Sequence, residues 1–403
     1  MDEFNGPLPW LTIIGLGEDG LDGMPPSHRA ALEAAEVVAG SARHLALLPQ
    51  LDAERLEWPV PFADGIPCLL ALRGRRVAML ASGDPFWFGA GTSITRHLAA
   101  QEWHALPAPS TFALAAARLG WALEGTACLG LHAAPLSRLR PHLWSGARLL
   151  VLLRDGAAVA DLAGFLVDAG FGATTLTVLE ALGGPRERRR DLRAESYDLG
   201  DVVHPVAVAL QVAGEGFALP RSNGLPDALF AHDGQITKQP VRALTLSALA
   251  PRPGERLWDI GAGSGSVAIE WLLAHRSCEA VAIEADPQRA ARLRGNADTL
   301  GVDRLVVVTG SAPAALPGLP RPNAVFVGGG LSHALLECLW DFLPSGCRVV
   351  ANAVTLESEA LLALWHARAG GSLMRIELAH VQPLGARRGW RSAYPIVQWS
   401  GER

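Results

Sequence analysis

A short turn with three glycines and one carboxylate is the stretch of this sequence best suited to chemistry. It runs from Asp259 to Gly265, follows an apolar stretch typical of a buried strand, and precedes a helix-like run that begins at Ser266. Further along the chain, Glu284 ends a second apolar run. A strand, a glycine turn, a helix and a second strand that ends in an acid are typical of an α/β nucleotide site.

The residues of this turn favour S-adenosylmethionine over NAD as the ligand. A dinucleotide site brings a pyrophosphate to the helix N-terminus and takes glycine or alanine at the position where this chain has Ser266. Asp259 would repel a pyrophosphate, but a carboxylate suits the sulfonium and ammonium groups of S-adenosylmethionine. Glu284 is placed to accept hydrogen bonds from ribose hydroxyls. The alternative is a purely structural turn with Glu284 at an exposed strand end.

Composition restricts the class of protein. The chain has 403 residues, 49% of them hydrophobic, with a formal net charge of −5 and a pI of about 6.2. The length favours two or three domains, and the acidic balance argues against a nucleic-acid partner. We find no apolar run long enough to span a membrane, and residues 1–4 lack the basic start of a secretory signal. These features predict a cytoplasmic protein.

Cysteine and histidine spacing gives no sign of a metal site. The five cysteines are scattered without a C-x-x-C pair, and the twelve histidines include no H-E-x-x-H motif. We therefore predict no metal and no disulfide, with the cysteines as small buried residues of a reducing compartment.

Two arrays of alternating strands and helices are expected to position these motifs, which predicts an α/β fold. A segment rich in glycine and proline, residues 214–227, is the predicted linker between domains 1–213 and 228–403. The first array restarts near residue 110, which predicts subdomains of about 1–110 and 111–213 with a ligand cleft between them. Its predicted strands are 10–14, 76–80, 147–153, 174–179 and 204–212, and its predicted helices are 27–38, 92–101, 112–119 and 157–169. The second array has predicted strands 256–260, 280–284, 305–308, 323–327, 347–351, 373–380 and 394–399, the last two antiparallel.

The first half resembles the tetrapyrrole (cobalamin-type) methylase family. The resemblance rests on residues 13–20, 82–85 and 109–111, and the later runs 129–132 and 178–184 also fit. In that family S-adenosylmethionine lies in the cleft between two α/β subdomains. The resemblance implies that the edge of the cofactor site is formed by Ser82, Gly83, Asp84, Ser110 and Thr111.

The second half resembles the Rossmann-like methyltransferases that act on precorrins. The matching residues are 235–238, 259–265, 284, 310–313 and 327–330. The resemblance implies that the cofactor is contacted by Thr237, Asp259, Gly261, Ala262, Gly263, Ser264, Gly265, Glu284 and Ala312. Val327–Gly330 stands where amino-methylating enzymes of this fold usually carry an Asn/Asp-Pro-Pro-aromatic motif, which favours carbon over nitrogen as the methyl acceptor.

Both domains in this order resemble the precorrin-6Y C-5,15-methyltransferase family. The resemblance implies methylation of a precorrin at C-5 by the first half, and methylation at C-15 with decarboxylation of the C-12 acetate by the second half, giving precorrin-8X in cobalamin biosynthesis. It also implies a homo-oligomer. The alternatives are an RNA methyltransferase with an accessory N-terminal domain, an NAD-dependent oxidoreductase, and a non-catalytic scaffold that binds a cofactor.

No residue identifies itself as catalytic. Arginines are expected beside the carboxylates of such a substrate. The candidates, for which solvated loop positions are the favoured alternative, are Arg186, Arg188, Arg189, Arg190, Arg387, Arg388 and Arg391. Trp87 and Phe88 are expected either to stack on the substrate or to pack in the core.

Overall fold

The computed structural model describes residues 9–403, which divide into two compact units. The first unit holds the described residues up to Ala134 together with His142–Phe217, and the second holds Pro135–Pro141 and Ala218–Arg403. The secretory-signal prediction concerns residues 1–4, which lie outside the described part of the chain. Within residues 9–403 no helix is long and apolar enough to cross a membrane.

A parallel five-stranded sheet begins the first unit, in the order β3-β2-β4-β1-β5. Its strands are β1 (Leu11–Leu16), β2 (Val37–Gly40), β3 (Glu54–Glu57), β4 (Val77–Ser82) and β5 (Trp103–Leu106), with helices α1 (Pro26–Glu33), α2 (Ala42–Ala46), α3 (Gly65–Leu70) and α4 (Ala90–Thr95). Ile13 and Ile14 join two different hydrophobic clusters, so both faces of the sheet are covered. Because the strands are parallel, the loops after β1, β2 and β4 lie together at one edge.

The predicted helix over residues 27–38 is wrong at its C-terminal end. Helix α1 ends at Glu33, and Val37–Gly40 form β2, all four residues of which are buried between β3 and β4. Two adjacent β-branched valines suit a strand that is buried on both faces better than a helix end. The predicted helix over residues 92–101 is also shorter, since α4 ends at Thr95.

A second five-stranded sheet completes the first unit, in the order β6-β7-β10-β8-β9. Its strands are β6 (Ala127–Gly130), β7 (Arg148–Leu152), β8 (Thr175–Glu180), β9 (Arg188–Arg193) and β10 (Val206–Gln211), with helices α5 (Thr111–Leu119) and α6 (Ala157–Asp168). Only β6 and β7 pair in parallel; the other neighbours are antiparallel. Strands β7, β8 and β10 supply the buried core and agree with the predicted runs.

The second unit is built on a seven-stranded sheet in the order β13-β12-β11-β14-β15-β19-β16. Its strands are β11 (Arg256–Ile260), β12 (Glu279–Glu284), β13 (Val306–Thr309), β14 (Ala324–Val327), β15 (Arg348–Ala353), β16 (Ser372–Ile376) and β19 (Ile396–Glu402). Its helices are α7 (Gln239–Leu249), α8 (Ser266–Ala274), α9 (Pro287–Thr299), α10 (His333–Phe342) and α11 (Leu356–Ala369). Strands β11 to β15 are parallel, and β19 runs antiparallel between β15 and β16. The predicted antiparallel finish is therefore confirmed.

The predicted strand over residues 373–380 is two strands. Residues after Ile376 leave the large sheet, and β17 (Ala379–Leu384) pairs with β18 (Arg387–Ser392) as a separate two-stranded hairpin. Every residue of β17 is exposed, so no buried face was present to mark it in the sequence.

Candidate active sites

The first unit contains a cavity of about 450 Å³ at the carboxyl edge of its parallel sheet. The loops after β1, β2 and β4 form one wall, which includes Glu18, Arg43 and Ser82. Strands β7, β8 and β10 and the start of α5 line the other side. Clefts of this kind are the usual ligand sites of α/β proteins.

The residues predicted from the first-half resemblance are brought together in this cavity; its lining includes Ser82, Gly83, Asp84, Ser110 and Thr111. Gly83 has a φ of 53°, and a Cβ there would lie 2.7 Å from the Pro109 carbonyl oxygen. Glycine is therefore required where these two loops meet. Asp84 Oδ1 accepts a hydrogen bond from the Phe86 N–H at 2.8 Å. Ser110 caps α5 by accepting from the Ala113 N–H at 3.1 Å.

Three residues that were not predicted from the sequence lie in the same wall beside the predicted Ser82. We call Glu18, Arg43, His44 and Ser82 the Arg43 cluster. Arg43 donates to a Glu18 carboxylate oxygen, and its Nη2 lies 2.7 Å from Ser82 Oγ and 2.8 Å from His44 Nε2. Glu18 is 9% exposed and also pairs with Arg186 at 3.4 Å. No local motif marks these residues, since they belong to three separate segments of the chain. The available signal is that each segment lies at the carboxyl end of a parallel strand.

His44 is neutral in this cluster. Burial, reinforced by the charge of Arg43, lowers the pKa of its imidazole to about 3. Because a guanidinium can only donate, His44 Nε2 must be the acceptor and Nδ1 carries the proton. Burial, followed by the charge of Arg43, also lowers the pKa of His204, another lining residue. The positive charge of this wall therefore resides on Arg43 and its neighbour Arg186.

Two aromatic residues also line the cavity. Trp87 and Phe88 are 39% and 49% exposed, so they are not core residues. Both rings contact Phe112, with centroid separations of 5.4 Å and 5.8 Å. Their exposed faces are available to stack on a ligand in the cavity.

The glycine turn of the second unit lies at the carboxyl end of β11, beside the point where the strand order reverses between β11 and β14. Gly261 has a φ of 68°, and a Cβ there would lie 2.6 Å from the Gly329 Cα. Gly265 has a φ of 76°, and its Cβ would lie 2.6 Å from Leu293 Cγ. The segment Val327–Gly330 thus has a structural role, because its backbone packs directly on the turn. Open α/β sheets bind ligands at such reversal points.

Asp259 is a buried carboxyl group at the start of the turn. It is 1% exposed, and its Oδ2 accepts a hydrogen bond from the Ala268 N–H at 3.0 Å. Burial raises the pKa of Asp259 to about 7, opposed by the Ala268 hydrogen bond and assisted by the charge of Glu284. Its Oδ1 and the Oγ of Ser264 are buried without a hydrogen-bond partner. Such atoms are rare in folded proteins, and two of them mark this turn.

Glu284 is held against the glycine turn rather than exposed at a strand end. It is 6% exposed; one carboxylate oxygen accepts from the Gly263 N–H at 2.8 Å and the other from the Asp286 N–H at 3.0 Å. Each oxygen keeps a further lone pair for a ligand. Its contact with a ribose stays a prediction.

Asn296, which the sequence analysis did not find, ties the segment before Thr237 to the turn. Its Nδ2 donates to the carbonyls of Ala231 and Ser264, both at 2.9 Å, and its Oδ1 accepts from the Ala231 N–H at 2.8 Å. Further along this segment, the Gln235 carbonyl lies 3.8 Å from a Cβ built on Gly263. The residues around Thr237 therefore lie beside the turn, and the contact of Thr237 with the cofactor stays a prediction.

Arg242 fixes the same segment from inside the unit. This side chain is fully buried, and it donates to Glu270 at 2.5 Å, to Asp227 at 3.0 Å and to the carbonyls of Leu225 and Thr237. A buried cation with all of these partners holds the backbone around it in one position. Ala312 packs against the hydrophobic cluster that contains the residues before the turn.

The arginine candidates for substrate binding separate into three groups. Arg186 reaches the Arg43 cluster through Glu18. Arg188 and Arg190 pair with the buried Glu180, whose pKa these and other hydrogen bonds hold low against the effect of burial. The remaining candidates, Arg189, Arg387, Arg388 and Arg391, are exposed on β9 and β18.

All five cysteines are free thiols. Cys278 and Cys347 are buried as predicted. Cys128 and Cys338 are half-buried and Cys68 is exposed, which corrects the prediction for these three residues.

Comparisons with known proteins match both halves of the chain. The family model described as tetrapyrrole (corrin/porphyrin) methylases matches residues 10–197, and the model described as precorrin methyltransferase domain matches residues 228–403. A Sinorhizobium protein named precorrin-6Y C(5,15)-methyltransferase (decarboxylating) is 52% identical over 97% of this chain and 96% of its own. A Mycobacterium tuberculosis protein of the same name is 42% identical over 97% of this chain and 99% of its own. The crystal structure of the C-terminal domain of precorrin-6Y C5,15-methyltransferase from Rhodobacter capsulatus aligns with 56% identity over 46% of this chain and 100% of that chain, with a TM-score of 0.45.

Proposed function

This chain belongs to the precorrin-6Y C(5,15)-methyltransferase (decarboxylating) family, and we propose that it methylates precorrin-6Y at C-5 and C-15 and removes carbon dioxide from the C-12 acetate, giving precorrin-8X in cobalamin biosynthesis. The observation that carries the proposal is the identity over nearly the full length of both chains. We assign C-5 to the first half, and C-15 with the decarboxylation to the second.

We propose that S-adenosylmethionine binds at both sites, where it would supply a methyl group on a positively charged sulfonium. The residues of the second unit fit such a ligand: Asp259 Oδ1 and Ser264 Oγ are buried polar atoms without a partner. A carboxyl group there can hold an ammonium, and Glu284 keeps lone pairs for ribose hydroxyls. In the first unit, Ser82, Asp84 and Thr111 offer polar groups to the cavity.

The side chains of this protein would act mainly by alignment. Methyl transfer to an electron-rich carbon needs the two reacting atoms in line and water excluded, rather than a strong base. Orientation of this kind supplies roughly 7–11 kcal/mol in favourable cases. The first cavity is suited to it, because buried residues such as Leu80, Leu153 and Leu179 share its lining with the polar groups.

We propose a small-molecule partner only, without nucleic acid, in the cytoplasm. The net charge of −5 supports this choice, since a polyanion binder needs a basic surface.

We also propose a homo-oligomer that assembles through the β17–β18 hairpin. A two-stranded hairpin without a core is marginal in water, and this one exposes Leu384 and Trp390 at 70% and 76%. A second copy of the same hairpin would cover these side chains by self-complementary pairing.

Incubation of the protein with precorrin-6Y and S-adenosylmethionine, followed by mass spectrometry, tests the proposed function. We expect a product that has gained two methyl groups and lost one carbon dioxide. A product with one methyl group, or methylation of RNA in place of precorrin-6Y, would contradict the proposal.

A further inference from the structure

The Arg43 cluster and its neighbour Arg186 together have two guanidinium groups and one carboxylate. Glu18 provides one carboxylate, which Arg43 and Arg186 share, while His44 is neutral. Burial lowers the pKa of Arg43 against the opposing effect of Glu18, which indicates a cation that is partly stripped of water. A desolvated charge of this kind is stabilised by a further anion.

Hydrogen-bond donors of the cluster are also left over. A guanidinium has five N–H donors. The contacts of Arg43 use one donor of Nη1 on Glu18 and those of Nη2 on Ser82 and His44, which leaves Nε and the second Nη1 hydrogen without a partner among the described residues. The Arg43 side chain is 27% exposed, and Arg43 lines the cavity.

Ser82 adds a donor at the same point. Its Oγ lies 2.7 Å from Arg43 Nη2 and 2.9 Å from His44 Nε2, and Ser82 is exposed to the cavity. When Arg43 donates to both Ser82 Oγ and His44 Nε2, the hydroxyl hydrogen of Ser82 is free for a ligand oxygen. A guanidinium beside a hydroxyl is a typical carboxylate-binding pair.

We infer that Arg43, oriented by Glu18 and assisted by Ser82, binds a carboxylate of the ligand in the first-unit cavity. The inference rests on the proposed function, which supplies two sources of that carboxylate: the amino-acid end of S-adenosylmethionine, or an acetate or propionate side chain of the macrocycle. Arg43 is then a binding residue, and Glu18 is a positioning residue that holds the guanidinium against the wall.

The test compares Arg43→Gln with a matched control in the full-length chain. Arg75→Gln removes the same charge from an exposed pair with Glu54 and lies outside the cavity. Calorimetric titrations use S-adenosylhomocysteine, which has the amino-acid carboxylate, and 5′-methylthioadenosine, which lacks it. If the cofactor supplies the carboxylate, Arg43→Gln weakens S-adenosylhomocysteine about 10- to 100-fold at one of the two sites and leaves 5′-methylthioadenosine unchanged.

If the macrocycle supplies the carboxylate, both nucleosides bind Arg43→Gln as they bind the unmodified protein. Binding of uroporphyrin III, a stable polycarboxylate macrocycle, then weakens about 10- to 100-fold by fluorescence titration. With precorrin-6Y, KM rises and a singly methylated product accumulates. Unchanged binding of all three probes by Arg43→Gln would overturn the inference.

Two further measurements keep the test decisive. If Arg43→Gln does not fold, Arg43→Lys replaces it, because lysine keeps the charge but cannot form a forked contact with a carboxylate. If Arg43→Lys then binds every probe as tightly as the unmodified protein does, the carboxylate role is rejected. Glu18→Gln keeps an oxygen that accepts from Arg43, and so keeps its orientation, but removes the competing negative charge. Binding is therefore expected to stay equal or to tighten, whereas a purely structural ion pair would weaken equally from either side. Since none of the three binding probes is precorrin-6Y, a failure of the proposed function would be seen separately in the unmodified protein.

Discussion

Asp259 should make ligand binding at the second site depend on pH. Its pKa of about 7 means that the carboxyl group is mostly protonated at pH 6 and mostly ionised at pH 8. Because the ammonium of the ligand favours the ionised form, the affinity for S-adenosylhomocysteine at this site should rise about tenfold from pH 6 to pH 8. Calorimetry in buffers of different ionisation enthalpy should show proton release on binding near neutral pH.

The stability of the ligand-free protein should change in the opposite direction. The pKa of Asp259 is raised above its usual value, so the folded state retains a proton that the unfolded chain gives up. This contribution to stability is fully present below about pH 4, where the unfolded chain is protonated too. It falls as the pH rises from there to about 7, where the folded carboxyl group ionises. Asp259→Asn should remove this fall and the pH dependence of binding together; an Asn variant that keeps the pH dependence would exclude Asp259 as its source.

Gly265 and Gly295 form a matched pair for testing the glycine turn. Gly265→Ala would force a Cβ to 2.6 Å from Leu293 at a φ of 76°, and should cost about 1–3 kcal/mol of stability and the second ligand site. Gly295 is exposed on α9 with open space around its Cβ position, so Gly295→Ala should stabilise by about 0.5–1 kcal/mol. Thermal unfolding and ligand titration measure both. Equal effects of the two changes would contradict the close packing of Gly265 against Leu293.

The turn residues could be predicted from the sequence, but Glu18, Arg43 and His44 of the Arg43 cluster could not. Asp259, Gly261 and Glu284 fall in a spacing set by local strand–turn–helix geometry, so the chain itself carries their relation. Arg43 meets Glu18 and Ser82 only because β1, β2 and β4 end at one edge of a sheet. The order of those strands depends on the tertiary fold. In addition, the predicted helix over residues 27–38 included the start of β2, so this strand was not predicted.

Among the secondary-structure elements, the strands with buried apolar residues could be predicted from the sequence, and the exposed or charged strands could not. Strands β7, β8 and β10 have buried apolar runs and agree with prediction. Strand β9 consists mainly of arginines, and the side chains of Arg188 and Arg190 pair with the buried carboxylate of Glu180. A run of arginines is typical of a solvated loop, so the strand was not predicted. The hairpin has no buried face at all along β17 and gave no alternation to detect.

The hairpin should control the oligomeric state. The double variant Leu384→Ser/Trp390→Ser removes two of its exposed apolar side chains. It should reduce the molar mass measured by light scattering, because the two copies would lose the apolar contact that holds them together. Leu364→Ser is the control: this leucine is 73% exposed on α11, far from the hairpin in sequence. A monomeric unmodified protein, or an unchanged mass of the double variant, would refute assembly through the hairpin.

For the whole molecule, we expect two sites that are separable. Residues 1–213 and 228–403, the predicted domains, expressed as separate chains should each bind S-adenosylhomocysteine once, and the full-length chain should bind it twice. The first fragment should methylate precorrin-6Y once without loss of carbon dioxide, since the decarboxylation is assigned to the second half. A full-length stoichiometry of one, or carbon dioxide release by the first fragment, would contradict this division.

The position of β19 has a consequence for how the protein is made. Both sheets of the first unit are complete once Gln211 has been synthesised. The seven-stranded sheet of the second unit, by contrast, lacks an interior strand until residues 396–402 have been synthesised. Trp399, fully buried, and Gln398 would be absent from that core until then. On the ribosome, domains fold as units in the order of synthesis. An interrupted message would therefore release a chain with one finished ligand site and an unfolded remainder for chaperones and proteases to recognise.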